Sequence, residues 1–281
     1  MKTPDFRNHL KAISKSNVHL KRLARILLSI YRKFRRRIRT YPGIPGRIHY
    51  NDDSFYNSSI SHYISVGQSA LDNIEHALQL SNKTFQDIGK GLDFPCGYGR
   101  ITRVLQNRLS ESAVLDVCDI LPEAVRFCAQ EFGVDPILSQ NDISNVVLPN
   151  KYDLIWIGSL LTHLDRQSFV DTLKIASDSL AMEGVMVFTT HGNFSLEILD
   201  SYGIKNLNRK EVKKHLQETG FYFAPYSGES DYGISLSSVD FVRSLLENDF
   251  PSRLKLLFYK PQGWDNHQDV FACQKTRLLP D

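Results

Sequence analysis

The chain has 281 residues, 42% of them hydrophobic and 23% charged, a balance ordinary for a globular protein with a sizeable core. Four scattered cysteines, Cys96, Cys118, Cys128 and Cys273, form no Cys-x-x-Cys pair, which argues against a disulfide scaffold or a zinc framework and predicts reduced thiols in a cytoplasmic protein. The net charge of +3 conceals an asymmetry, because residues 1 to 47 hold fourteen Lys or Arg against one acid, Asp5, and the remainder holds 20 basic and 30 acidic side chains.

From Val18 to Ile38 the apolar residues Leu20, Leu23, Leu27, Tyr31, Phe34 and Ile38 recur at steps of three and four, with Lys21, Arg25, Arg32, Arg36 and Arg39 around them. This spacing predicts an amphipathic basic helix. Such a helix can lie on an anionic membrane surface, pack on its own acidic domain, or meet a nucleic-acid backbone; nucleic acid is the least favoured partner. The apolar run Leu23 to Tyr31 is broken by Arg25 and is far shorter than the roughly 20 residues that cross a bilayer. The placement expected is cytoplasmic, with residues 18–39 open to a peripheral membrane role, and the Arg-rich composition also fits a transit peptide.

Tyr41-Pro-Gly-Ile-Pro-Gly46 breaks regular structure and reads as a linker. The expected organisation is a basic extension over 1–47, a helical lead-in over 48–84, and a catalytic domain over 85–281. In the lead-in, residues 60 to 80 should form a helix with Ile60, Tyr63, Ile64, Ala70, Ile74, Ala77 and Leu78 on one side. Beyond it, strands at 90–94, 113–118, 152–157 and 184–190 alternate with helices at 99–109, 122–132, 166–181 and 208–219. That alternation implies right-handed βαβ units and a parallel sheet, hence a doubly wound α/β fold.

The first strand runs into Gly91-Leu-Asp-Phe-Pro-Cys-Gly-Tyr-Gly-Arg100. Glycines there let a ligand approach the backbone, and the following helix offers unpaired N–H groups. Twenty residues after Gly99, Asp119 ends the second strand, where a carboxylate can accept ribose hydroxyls. The plainer reading is that Asp119 caps the helix starting at Pro122. A nicotinamide fingerprint wants a third glycine where Thr102 stands.

Asp93-Phe-Pro-Cys-Gly-Tyr-Gly99 resembles motif I of the class I S-adenosylmethionine-dependent methyltransferases, with Gly97 and Gly99 matching and Pro95 standing where the first glycine is expected. Val117 to Glu123 resembles the family's second motif, Asn141-Asp-Ile143 its adenine-side segment, and Tyr152 to His163 its fourth. The resemblance implies a seven-stranded, mostly parallel Rossmann-like sheet, S-adenosylmethionine as cofactor, and a cofactor set of Asp93, Pro95, Gly97, Tyr98, Gly99, Arg100, Asp119, Ile120, Asp142, Ile143 and Gly158. By it, Asp142 sits near the adenine amine with Ile143 on the ring face. It also implies an antiparallel last strand, with strands near 255–260 and 268–274 forming a terminal hairpin.

His163 and His191 follow the fourth and fifth strands, where ligands bind in open α/β sheets, and are the candidate general bases. Trp264, His267 and Tyr232 are candidates for lining an acceptor pocket, beneath a lid-like insertion at about 192–254. No metal is expected, because His and acids do not cluster at ligand spacing. The expected function is methyl transfer to a small-molecule or glycan-like acceptor. The alternatives are a non-catalytic binding module or another nucleoside-cofactor enzyme on the same scaffold.

Overall fold

In the computed structural model, residues 40–202, 207–250 and 254–276 are described. The basic helix anticipated at 18–39 lies outside them. The chain divides into two compact units, Met1–Asp53 and Ser54–Asp281. Within the first, Ile44 N–H donates to the Tyr41 carbonyl at 3.1 Å and closes the expected Pro-Gly turn.

The long helix near the start of the second unit is α1 (Ile60–Leu80), capped by the Ser59 hydroxyl, which accepts from His62 N–H. Its buried stripe is Tyr63, Val66, Ala70, Leu71, Ile74, Ala77 and Leu78. Ile60 and Ile64, expected on that stripe, are 43% and 39% exposed. At 100° per residue Ile64 falls at the stripe's margin, and Ile60 belongs to the first turn.

The sheet follows, with β1 (Lys90–Asp93), β2 (Val114–Asp119), β3 (Asp135–Leu138), β4 (Tyr152–Ile157), β5 (Leu180–Thr190), β8 (Leu254–Trp264) and β9 (Gln268–Lys275). Its order is β3-β2-β1-β4-β5-β9-β8. The strands β3, β2, β1, β4 and β5 pair in parallel, and β9 runs antiparallel to both β5 and β8. This is the seven-stranded, mostly parallel sheet expected, with its reversed strand. The crossover helices α2 (Thr102–Arg108), α3 (Pro122–Phe132) and α4 (Arg166–Ser179) end close to where periodicity put them.

Three differences have local causes. Edge strand β3 was not among the strands anticipated, being four residues long, mostly exposed, and containing Pro136, which cannot donate to a ladder. Helix α4 stops at Ser179 and β5 begins at once, with Glu183 at φ 62° marking an irregularity in its pairing with β4. The insertion after β5 holds short helix α5 (Asn193–Glu197), helix α6 (Arg209–Thr219), helix α7 (Val239–Ser244) and a separate hairpin of β6 (Phe221–Pro225) and β7 (Gly233–Ser237).

Alternate residues of β4 feed opposite faces of the sheet. Leu154 and Trp156 join a core under α1 with Leu105, Val187 and Ala272, while Ile155 and Ile157 join one under α4 with Phe169, Leu173 and Phe188. A third cluster, including Leu196, Val212, Leu216, Ile234 and Leu236, sits inside the insertion.

Candidate active site

The turn after β1 is held by backbone bonds on several sides. Phe94 N–H donates to the Trp156 carbonyl, Cys96 N–H to the Cys118 carbonyl and Gly99 N–H to the Cys96 carbonyl, each at 2.9 Å. Pro95 enters through a cis peptide bond with Phe94. Gly99 has φ 82°, and a Cβ there would lie 2.5 Å from the Phe132 ring, so a side chain is barred on both counts. Gly97 also has positive φ, but the space beside it is open, with nothing within 4 Å of where a Cβ would stand. A ligand can therefore come close to the backbone at Gly97.

Asp119 ends β2 beside that opening. Its Oδ2 accepts from Gly97 N–H at 2.8 Å and its Oδ1 from Leu121 N–H at 2.9 Å. The carboxylate thus fastens the glycine turn and the residue that precedes α3, while α3 itself has Leu121 as its N-cap and no side-chain cap, so the capping reading fails. Burial pushes its pKa up, while the Leu121 and Gly97 N–H groups pull it down. Ile120 and Leu121 follow with 46% and 49% exposure, and Leu138, opposite Asp119 in the ladder, is 54% exposed. These form an open apolar surface beside Asp119.

Asp93 lies on the other side of the turn and is fully buried. Its Oδ2 accepts from the Thr102 hydroxyl at 2.6 Å, and its Oδ1 has no partner among the described residues. Desolvation raises its pKa to about 7, against a lowering by the Thr102 bond, with the Asp119 charge adding to the rise. An unsatisfied buried acid next to a second acid fits a ligand with a cationic, N–H-bearing group.

The remaining residues of the expected cofactor set divide. Tyr98 packs its ring 6.3 Å from Phe127, and the Arg100 guanidinium lies 5.6 Å above the Trp264 ring. Asp142 spends its carboxylate on its own turn, accepting from Ser144 N–H and hydroxyl and from the Asn145 amide. Ile143 is buried in the core under α4, whereas Ile120, Leu121 and Leu138 are exposed. Gly158 has a packing reason: a Cβ would stand 2.5 Å from Nε1 of Trp156.

At the carboxyl ends of β4 and β5, strand β7 runs along the loop that carries His163. Gly233 N–H donates to the His163 carbonyl at 2.8 Å, Ser235 N–H to the Thr162 carbonyl at 3.0 Å, and Ser237 N–H to the His191 carbonyl at 2.9 Å. The hairpin is therefore zipped to both histidine segments. His163 Nδ1 lies 2.9 Å from the Gly233 carbonyl and 3.1 Å from the Tyr226 hydroxyl, and His191 Nδ1 lies 3.2 Å from the Ser235 carbonyl. A carbonyl only accepts, so both rings carry their proton on Nδ1 and leave the Nε2 lone pair free. No described residue bonds to either Nε2.

The two rings are 6.2 Å apart, and His267 is 5.3 Å from His191. Tyr232 stands 5.3 Å from His163, and Tyr202, for which the sequence offered no spacing signal, stands 5.1 Å from His191. Burial lowers the pKa of all three histidines, that of His191 to about 3 with the neighbouring imidazoles adding to the effect. His267 Nε2 and the Tyr202 hydroxyl share a hydrogen bond at 2.6 Å, which occupies the nitrogen it would offer an acceptor. Trp264, expected at the pocket wall, is instead a core residue. It is 3% exposed, packed edge-on to Trp156, and donates its indole N–H to the Val66 carbonyl. Among the described residues no group of three His, Cys, Asp or Glu could hold a metal ion.

Residues 92–184 match the family model described as a methyltransferase domain. Over these residues the chain carries a methyltransferase domain. Solved methyltransferase structures share its fold. The N-methyltransferase NodS of Bradyrhizobium japonicum WM9, solved with S-adenosyl-l-homocysteine, superposes with a TM-score of 0.52 at 15% identity, covering 81% of this chain and 94% of NodS. An S-adenosylmethionine-dependent methyltransferase from Clostridium acetobutylicum gives 0.52 at 15% identity, over 80% and 96%. An O-methyltransferase family protein from Burkholderia thailandensis gives 0.50 at 11%, over 76% and 57%. At these identities the likeness establishes the fold and no more. No curated protein sequence matches it.

Proposed function

We propose that this methyltransferase moves the methyl group of S-adenosylmethionine to a hydroxyl of an uncharged small-molecule or glycan-like acceptor, with His163 as general base. The residues fit the cofactor. The open backbone at Gly97, the unsatisfied Oδ1 of Asp93, the Asp119 carboxylate and the exposed Ile120 and Leu138 supply contacts for a cationic amino-acid tail, a ribose and an adenine. When bound, the cofactor supplies an electrophilic methyl carbon on a sulfonium.

The observation that carries the acceptor side is the pair of neutral imidazoles with Nδ1 tied to β7 and Nε2 free. His163 is the more accessible of the two, since His191 is only 2% exposed. A neutral Nε2 can take a hydroxyl proton as the oxygen becomes nucleophilic, a contribution of about 10²–10⁴ in rate. Among the described residues no lysine, arginine or carboxylate hydrogen-bonds to His163, His191, Tyr226 or Tyr232. Such walls, with the Asp119 and Glu229 charges near Tyr232, suit an uncharged ring better than a carboxylate acceptor.

The test separates the two halves. The full chain should bind S-adenosylhomocysteine, and Asp119→Ala should weaken that binding by about 1.5–3 kcal/mol, the worth of bonds to a charged group. His163→Gln should leave the affinity within twofold and lower methyl transfer about 100-fold in a panel of neutral sugars and phenols with labelled donor. Absence of binding to the intact chain ends the enzyme reading. Transfer confined to amines, or unchanged in His163→Gln, ends the proposed chemistry.

A further inference from the structure

Arg103 looks in sequence like a surface residue of an amphipathic helix, but it is 2% exposed. Its side chain folds back under the glycine turn. Nε donates to the Gly99 carbonyl at 2.9 Å and one terminal nitrogen donates to the Tyr98 carbonyl at 3.3 Å. The guanidinium carbon lies 5.0 Å from the Phe132 ring centre and 5.7 Å from that of Tyr63, so rings from α3 and α1 flank it. Across the same turn, the Asp119 carboxylate accepts from Gly97 N–H.

We infer that Arg103 and Asp119 form an ionic clamp on the backbone of residues 97–99, a positioning device that sets the turn in its cofactor-binding shape before the cofactor arrives. A trans peptide points its carbonyl and N–H in opposite directions. Drawing the Tyr98 and Gly99 carbonyls toward the guanidinium therefore turns Gly99 N–H back into the turn, where it meets the Cys96 carbonyl at 2.9 Å, and sends Arg100 N–H away from Arg103. The guanidinium fork holds two carbonyls at once, which a lysine's single ammonium on a flexible stem does not reproduce. The packed rings keep the fork in place and shield it from water. Through Tyr63, helix α1 supports the cofactor turn, although it lies outside the βαβ units. A turn already ordered loses less entropy on binding, so its clamp shows as affinity.

The inference rests on the cofactor reading above, and the experiment tells their failures apart. Calorimetric titration of the full chain with S-adenosylhomocysteine is compared for wild type, Asp119→Ala and Arg103→Lys, together with amide hydrogen exchange without ligand. Arg103→Lys should weaken binding about tenfold and speed exchange at Gly97, Tyr98, Gly99 and Arg100 while leaving the amides of β4 and β5 unchanged. Should Arg103→Lys not fold, Arg103→Gln, which keeps N–H donors without the fork or charge, should give the same result. Binding within twofold of wild type, or unchanged exchange in the turn, overturns the clamp alone if wild type binds and Asp119→Ala binds more weakly. Failure of both Arg103 variants to fold makes the residue structural and overturns it too. No binding by wild type overturns the cofactor reading and the clamp together.

Discussion

Asp93 ends β1 with a carboxyl group that water does not reach, and its raised pKa makes stability depend on pH. In the folded chain desolvation moves it to about 7, against 3.8 as its ordinary value. Between those two values the folded state holds a proton that the unfolded state has released. Stability therefore falls as pH rises from about 4 through about 7, and is flat above. Asn keeps the neutral shape and cannot ionise. Asp93→Asn should thus raise the melting temperature of the ligand-free protein at pH 8 and change it little at pH 5, read by thermal scans across that range. An equal effect at both pH values would show that the carboxyl is not neutralised by burial. The same reasoning applied to His163 gives the opposite sign: its lowered pKa keeps the base form available below pH 6.5, so the acid limb of the rate profile should lie on the acid side of that value.

At the scale of elements, the hairpin of β6 and β7 is what turns two separate strand ends into one site. Gly233 is its most constrained point. A Cβ there would stand 2.1 Å from the Ala224 carbonyl oxygen, which is backbone and cannot swing away. Gly233→Ala should therefore shift the hairpin, break the bond from Gly233 N–H to the His163 carbonyl, and cost about 1–3 kcal/mol by urea denaturation. An unchanged midpoint would mean the hairpin slides freely over the histidine loop. This element also marks where sequence reading stops. Strands β1, β2, β4 and β5 were legible as short, mostly apolar stretches alternating with helical ones, and the terminal hairpin through the family resemblance. His163 and His191 were legible as strand-end residues. The zipper between β7 and residues 162–164 joins segments about 70 positions apart, and no periodicity encodes such a pairing. Tyr226, whose hydroxyl meets His163 Nδ1, was visible as one aromatic among several in the insertion, with nothing to single it out. Arg103 had a fainter signal, four residues after Gly99, one helical turn, so that its stem can double back on the glycine carbonyl.

At the scale of the whole molecule, the core clusters and the charge divide the chain near the same place. All three apolar clusters are built from residues between Val66 and Cys273, so the second unit carries its own cores. The basic excess lies before them: residues 1–47 hold fourteen Lys or Arg and one acid. Among the described residues no helix is long and apolar enough to cross a membrane. A charge surplus of this size next to an acidic remainder is attracted to an anionic bilayer by up to about 1 kcal/mol per basic residue near the surface. We predict that the full chain sediments with vesicles containing phosphatidylserine, that the chain lacking residues 1–40 does not, and that raising salt from 0.1 to 0.5 M releases the full chain, because surface electrostatics decay within a Debye length. The shortened chain should still melt cooperatively, since no cluster loses a member. Equal sedimentation of the two chains would mean that the basic segment is engaged elsewhere, and a non-cooperative melt would mean that residues 1–40 contribute to the fold of the second unit.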